Sequence, residues 1–373
     1  MIQKVFIIWA TWNVWKELVK QIIEKDNYKY HKNPSIIVWL ANSSWFIFNK
    51  LGFENSFLKD IFYSENVREK FTSICEKYNK LEDLVDIVDN YWLDGEVVFV
   101  DVTAWKKELL NFHKYVILNS NNFLVTANKN PISLYSMEDF NLLTSYSWRY
   151  NTNTTVMWWA WILEFVENRV NKLADKILKI EWVFSGTLSY ILSQLNKWEK
   201  KFSDIVKFAK EQGYTEPNPY DDLNWLDVAR KLVILARYSW YDVSIKDIMI
   251  KPLIDEKYWN YEWEEFLEKI KNEDSYFENL VKKANDESKI LAYVAEMIVE
   301  NNKAKLEVWL KIVDKNSEYW NLSWTLNLAI VETEILKEPM PHIIKSRWAW
   351  LAVTASSVRY WIAKMLPNFI KNK

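Results

Sequence analysis

The chain has 373 residues, a net charge of −2, one cysteine and three histidines. Its near-neutral charge leaves no basic field for nucleic acid or an anionic membrane surface. The single thiol, Cys75, excludes a disulfide framework, and His31, His113 and His342 lack metal-ligand spacing.

No apolar run reaches membrane-spanning length, and a strand begins at residue 4, which leaves no room for a signal peptide. A soluble cytoplasmic protein without nucleic-acid or membrane partners is therefore expected, long enough for two domains with substantial cores. The composition holds one anomaly: 23 Trp against 4 Gly. At roughly 7% glycine, about 26 glycines are expected for this length, and the Trp and Gly counts together come close to that figure. We read most Trp letters as glycine, written by translating a reassigned UGA codon with the standard table. The richness in Lys, Ile, Asn and Tyr fits an A/T-rich genome. The alternative is a literal Trp-rich chain, an aromatic binding module, which must make its positive-φ turns with four glycines.

Lys4-Val-Phe-Ile-Ile8 is a continuous apolar run, the pattern of a buried parallel strand. It leads into Trp9-Ala-Thr11-Trp12-Asn13-Val14-Trp15 and an amphipathic helix from Lys16 to about Lys25. Read with glycines the turn is GATGNVG, a strand–turn–helix dinucleotide fingerprint in which glycines admit a pyrophosphate to the helix N-terminus. Thr11 stands where GxGxxG has its middle glycine, and a glycine-rich turn without a nucleotide is the plain alternative. A second strand, Ser35 to Leu40, ends in Ala41-Asn42-Ser43-Ser44. No acidic residue follows it to take a ribose 2′-OH, which favours NADP and leaves NAD open. Residues 54–95 are charged and helix-patterned, and place Cys75 in a helical stretch.

Glu96 to Ala104 is another buried strand, carrying Asp101 and Thr103 at its end. After a helix come Tyr115-Val-Ile-Leu118 and Phe123-Leu-Val-Thr-Ala-Asn-Lys129. A lysine at a strand's carboxyl end sits where open α/β sheets bind ligands. From about Tyr150 the pattern changes. Leu178 to Tyr190 reads as a strand turning into a helix. In the stretch from Glu211 to Lys231, Pro217 and Pro219 exclude helix and hold a loop. Asn224 can then cap a helix running through Leu226, Ala229, Leu232, Ile234 and Leu235. Asp227 and Lys231, four apart, share a face of it; an isolated pair of this kind is usually a solvated salt bridge. Residues 240–340 mix charged helices with alternating strands such as Lys305-Leu-Glu-Val and Ile312-Val. Trp348-Ala-Trp350 then precedes a final helix containing Thr354 and Val358.

The segment GYTEPNPYDDLN-x-LDVARK, from Gly213 to Lys231, resembles the substrate-binding segment of homoserine dehydrogenases. It is most similar to the dehydrogenase half of the bifunctional aspartokinase–homoserine dehydrogenases. The likeness extends to the VDxT strand at Asp101 and Thr103, to VTANK ending at Lys129, and to G-x-x-x-G-T-x-x-Y ending at Tyr190. It includes G-x-x-N at Asn327 and, read with glycines, GAGxxxTAxxV at 348–358, so it covers nearly the whole chain. It implies an α/β chain: a Rossmann-type nucleotide-binding domain (1–149), an α+β catalytic and dimerisation domain (150–339), and a C-terminal helix returning to the first domain (340–373).

The implied activity is interconversion of L-homoserine and L-aspartate 4-semialdehyde with NAD(P)(H), in threonine and methionine biosynthesis. The resemblance makes Lys231 the proton donor and Lys129 a second cation at the cofactor and substrate oxygen. Glu216 and Asp227 would bind the substrate ammonium with Asp222 in support, Gly213 lying in the same loop. Cofactor contacts are implied at Trp9, Thr11, Trp12, Asn13, Val14, Asn42, Thr103, Lys129 and Trp348. A monovalent cation would rest on Asn153, Val156, Trp158 and Ala160. There this chain has Asn153 where the family usually has an acidic residue and Trp161 where it usually has proline, and a plain glycine-rich turn is the other reading. A homodimer is implied; with no kinase or regulatory domain in the chain, threonine feedback through an appended domain is not expected. The rival enzyme, an aspartate-semialdehyde dehydrogenase with a similar fingerprint, needs a thiolate nucleophile, for which the chain offers only Cys75.

Overall fold

The computed structural model describes residues 3–9, 14–26, 35–64, 66–91, 97–103, 109–157, 161–183, 186–197, 199–212, 214–215, 226–258, 261–319, 326–337, 339–347 and 351–371. The chain forms two compact units, residues 1–163 with 349–373, and residues 164–348.

The first unit is built on a seven-stranded sheet of order β4-β3-β2-β1-β5-β6-β7. The strands are β1 Gln3–Trp9, β2 Ser35–Ala41, β3 Trp45–Phe48, β4 Glu76–Lys77, β5 Val97–Val102, β6 Phe123–Thr126 and β7 Tyr150–Asn151. From β2 across to β7 all neighbours are parallel. Val5, Phe6, Ile7 and Ile8 are fully buried, as a parallel strand covered on both faces requires. The short β3 and β4 add an antiparallel edge; β4 falls within the 54–95 stretch whose charge pattern predicts helices alone, where α2 (Asn55–Phe62), α3 (Val67–Thr72) and α4 (Asp83–Asn90) form as well.

Before them, α1 (Val14–Lys25) starts two residues earlier than its charge pattern suggests. Tyr115–Leu118 belong to the last turns of α5 (Leu109–Asn119). The buried Arg149 fixes that helix end, donating to the carbonyl of Ile117 in its last turn and to those of Ser120 and Asn122 just beyond it, so one of the orphan acceptors of a helix C-terminus is satisfied. Beyond β6 lie α6 (Asn130–Ser133) and α7 (Met137–Thr144). The capping box of α7, Ser136 with Asp139, is complete.

The second unit carries a six-stranded sheet of order β13-β12-β8-β10-β11-β9. Its strands are β8 Ile177–Val183, β9 Ile248–Ile250, β10 Lys289–Glu300, β11 Lys303–Asp314, β12 Leu326–Thr333 and β13 His342–Arg347. Strands β10 and β11 form one long hairpin, with Asn301 and Asn302 both left-handed at its two-residue turn, the backbone that a type I′ turn needs and Asn tolerates. Lys305 and Ile312 therefore share a single strand. Four helices of this unit matter below: α8 (Ile162–Glu167, whose first two residues belong to the first unit), α9 (Gly186–Leu195), α10 (Phe202–Glu211) and α11 (Leu226–Tyr238). They are followed by α12 (Trp263–Ile270) and α13 (Asp274–Asp286).

One face of the sheet carries charge at its centre. Glu181 and Glu296 lie directly opposite on β8 and β10, a destabilising placement for like charges. Lys311 bridges them at 2.9 Å to each, and Lys179 stands 3.0 Å from Glu181. The last helix, α14 (Leu351–Lys371), packs in the first unit, where Val358, Trp361, Ile362 and Met365 join the core of Val5, Ile7, Leu18 and Val100.

Candidate functional site

In the first unit the strands β2, β1, β5 and β6 run parallel, so their carboxyl ends share one edge of the sheet. The direction of winding reverses between β1 and β5, which is where open α/β sheets hold a nucleotide. Trp9 ends β1, and Val14, almost buried, opens α1. Thr11, Trp12 and Asn13 lie outside the described residues, as does the Trp9 side chain. Asn42 closes β2, and its Oδ1 accepts the backbone N–H groups of Ser44 and Trp45, so the side-chain carbonyl is occupied by its own turn.

Thr103, Asn128 and Lys129 meet at the ends of β5 and β6. Asn128 Nδ2 donates to Thr103 Oγ1 at 3.1 Å, and Lys129 caps α6, its carbonyl accepting the Ser133 hydroxyl at 2.7 Å. Below them lies a polar set that sequence reading missed beyond Asp101. Asp101, fully buried, accepts from Thr103 N (2.9 Å) and Thr126 Oγ1 (3.2 Å) and faces His113 Nε2 at 3.1 Å. His113 Nδ1 is 2.9 Å from the Tyr150 hydroxyl. The available signal was His113, a polar residue at a core position of the helix after the VDxT strand.

In the second unit α11 starts at Leu226, and its first two turns carry Asp227 and Lys231. Their side chains meet, Nζ to Oδ2, at 2.6 Å; Lys231 is only 16% exposed and Asp227 49%. The helix is held by Val228, Ala229, Leu232 and Leu235, all buried. This pair thus departs from an ordinary solvated ion pair by the burial of its cation. Gly213, Glu216, Asp222 and the cap at Asn224 lie outside the described residues. Tyr214, at the entry to that loop, is tied to the other motif of this unit. Thr187 of α9 donates its hydroxyl to the Tyr214 carbonyl at 2.6 Å, and the Tyr190 and Tyr214 rings lie 4.9 Å apart. The G-T-x-x-Y motif therefore anchors the start of the 211–231 segment, a link no spacing argument supplied.

At the proposed cation turn, Asn153 opens a short 3₁₀ turn, Val156 is buried and extended, and Met157 and Trp161 are left-handed at φ 35° and 56°. Trp158 and Ala160, like Trp348, lie outside the described residues. Among the described residues no group of three or more His, Cys, Asp or Glu is placed to hold a metal. Cys75 sits between α3 and β4 rather than in a helix, because α3 ends at Thr72. It packs against the core, and burial pushes its thiol up to about 12. That is the opposite of the lowered value a thiolate nucleophile needs, and it weighs against the aspartate-semialdehyde dehydrogenase reading.

A family model described as homoserine dehydrogenase matches residues 163–360, more than half of the chain. The chain belongs to the homoserine dehydrogenase family. It is 31% identical over 353 residues to the bifunctional aspartokinase/homoserine dehydrogenase of Buchnera aphidicola, covering 91% of this chain and 40% of that protein. It is 35% identical over 206 residues to the homoserine dehydrogenase of Saccharomyces cerevisiae, covering 53% of this chain and 55% of the relative. These matches thus span only about half of the relatives' own length.

Among solved structures, a Candida auris protein of unknown function superposes with a TM-score of 0.81 at 26% identity, over 99% of both chains. A hyperthermophilic archaeal homoserine dehydrogenase mutant in complex with NADPH superposes at 0.71 with 20% identity, over 99% of this chain and 98% of the other. These likenesses show the family's fold: a Rossmann-like unit with a mixed α/β companion.

Proposed function

We propose that the chain catalyses its family's reaction, the NAD(P)(H)-dependent interconversion of L-homoserine and L-aspartate 4-semialdehyde. The observation that carries this reading is the Lys231–Asp227 pair at the start of α11, inside the segment matched to the family.

The first unit suits the cofactor: parallel strands present Trp9, Asn42, Thr103 and Lys129 at one sheet edge, around the point where the winding reverses. No acidic side chain follows Ala41 directly to meet a ribose hydroxyl, which favours NADP. When bound, the nicotinamide supplies the hydride; the chain supplies binding, orientation and a proton. Reduction of an aldehyde builds negative charge on its oxygen, and a positioned lysine ammonium both stabilises that charge and delivers the proton. Asp227 orients the Lys231 ammonium through the 2.6 Å bond. With Glu216 and Asp222 it would also take the substrate's own ammonium group. Lys129, fixed at the cap of α6, brings a second positive charge to the cofactor side.

The same reading includes glycine at most Trp positions. Trp240 follows α11 with φ 68°, its N–H bonded to the Arg237 carbonyl and the Tyr241 N–H to the Ala236 carbonyl. That is a Schellman end with Trp at the position glycine normally fills. Trp161 is left-handed as well, and the indole N–H groups of Trp39, Trp309 and Trp361 are buried without a hydrogen-bond acceptor, an arrangement that buried Trp rarely shows. A monovalent cation on the turn carrying Asn153, Val156, Trp158 and Ala160, a homodimer and a cytoplasmic location complete the reading. Among the described residues no helix is long and apolar enough to cross a membrane.

The test is a paired assay. One gene encodes glycine at the Trp positions and the other literal Trp, and NADPH oxidation is followed with aspartate semialdehyde. Activity in the glycine version alone, unchanged by Cys75→Ser, is the expected result. A folded glycine version that turns over nothing overturns the assignment, and activity in the Trp version overturns the glycine reading of the phosphate turn.

A further inference from the structure

A polar set in the interior of the first unit has no role in the chemistry above. Asp101 and His113 are fully inaccessible and Tyr150 is 3% exposed, beside the wholly buried Val98, Phe99, Val100 and Phe112. Apolar side chains of similar volume could fill such a site without loss of stability, so the polar set invites a reading beyond packing.

Its connections reach the ligand edge of the sheet. Asp101 acts as acceptor for the Thr103 N–H and the Thr126 hydroxyl. His113 Nε2 faces the same carboxylate at 3.1 Å, and His113 Nδ1 lies 2.9 Å from the Tyr150 hydroxyl. On the far side, Thr103 Oγ1 accepts from Asn128 Nδ2, Thr126 Oγ1 accepts from Asn128 N, and Asn128 Oδ1 accepts from Asn130 N. The backbone on both sides of Lys129 is thereby fixed by bonds that lead back to Asp101. The strands give this set its shape. Asp101 is paired in register with Thr126 across β5 and β6, and Val125 with Asn151 across β6 and β7. α5 then drops His113 between β5 and β7, so one imidazole spans two non-adjacent strands.

We propose that Asp101, His113 and Tyr150 form a positioning relay that sets the Thr103–Asn128 contact and so places Thr103 and Lys129 for the cofactor. This rests on the proposed dehydrogenase function. None of the three touches the reacting atoms; each acts through Thr103, Asn128 and Lys129, and buried networks of this kind hold one geometry when every member is satisfied.

The test uses the full chain in the version that folds, with His113→Leu, His113→Gln and Tyr150→Phe. NADPH affinity is read by fluorescence titration, melting temperature by circular dichroism, kcat and KM by turnover, and backbone amide shifts by NMR without cofactor. His113→Leu should weaken NADPH binding about tenfold and raise its KM with little change in kcat. His113→Gln, which keeps a donor toward Asp101, should restore affinity to within about twofold. Tyr150→Phe should shift the Thr103 and Asn128 amide signals through His113 and Asp101.

A folded His113→Leu chain with wild-type NADPH affinity overturns the relay, as do Tyr150→Phe shifts confined to Tyr150 and His113. If His113→Leu does not fold, the Gln and Phe variants decide on the same readouts. Wild-type protein that binds NADPH without turning over aspartate semialdehyde defeats the substrate assignment alone, and the affinity and NMR readouts still judge the relay. Wild-type protein that binds no NADPH overturns both.

Discussion

On the proposed function, Lys231 and Asp227 concentrate the chemistry of the second unit in two side chains. Replacing Lys231 with Ala removes that proton donor while Val228, Ala229, Leu232 and Leu235 still hold α11, so kcat should fall by about 10²–10⁴-fold in a chain that remains folded. Asp227→Asn should cost both kcat and the KM for homoserine, because Asp227 orients Lys231 and would also anchor substrate; steady-state kinetics separates the two. Trp240 offers a stability test of the recoding. A left-handed non-glycine residue costs roughly 1–2 kcal/mol, and the Trp240 indole is largely exposed, with one bond to Asn171. Trp240→Gly in the literal chain should therefore raise stability by about 1 kcal/mol, read as a higher urea midpoint. An unchanged or lower midpoint would speak against glycine as the natural residue there.

At the scale of elements, the apolar runs were the most legible. The strands at Lys4–Ile8, Ser35–Leu40 and Phe123–Thr126 could be read because burial on both faces leaves a run with no polar interruption. The helix carrying Asp227 and Lys231 could be read from its period. β3 and β4 could not, because two- and four-residue edge strands carry no period of their own. Nor could the separation of Cys75 from α3, which turns on where a six-residue helix stops. The site was legible where a motif is contiguous, as in VTANK or LDVARK. It was not legible where the partner is distant, as with Thr187 on the Tyr214 carbonyl or His113 on Asp101.

The charged centre of the six-stranded sheet was equally hidden, and it has a measurable pH signature. Burial pushes the Glu181 carboxyl up, but hydrogen bonds and charge from Lys311 and Lys179 outweigh it and hold it below its ordinary range. Burial likewise works against the Lys179 ammonium, and Glu181, Glu332 and Glu296 overcome it and raise it. Glu181 therefore contributes stability that is complete above the unfolded carboxyl value, about 4.3, and is lost as pH falls through the lower folded value. Lys179 contributes below about 10.4 and loses its part as pH rises through its higher folded value. The melting temperature should fall at both extremes. Glu181→Gln should flatten the acid limb, and an acid limb identical to wild type would show that Glu181 carries none of it.

At the scale of the whole molecule, the two units differ in how their cores are made. Residues 164–348 form the second unit as one uninterrupted stretch, whereas the first needs 349–373 as well. Val358, Trp361, Ile362 and Met365 of α14 are buried in its core, and Gln21 and Thr154 reach hydrogen-bond partners on that helix at Ala352 and Ser357. At about 1.5–3 kcal/mol for each buried apolar side chain, this helix contributes on the scale of a domain's whole net stability. Removing residues 349–373 should accordingly unfold the first unit while the second retains a cooperative melt, visible as the loss of one calorimetric transition.

The order of translation gives that dependence a temporal form. A ribosome delivers the strands of the first unit before the second unit, yet their last core helix emerges only after the entire second unit has been made. The segment synthesised in the middle can complete its fold before the segment synthesised first. Until the C-terminal helix arrives, the apolar surface of Leu18, Val19 and Ile22 on α1 stands open, the interval in which the nascent chain most needs a chaperone.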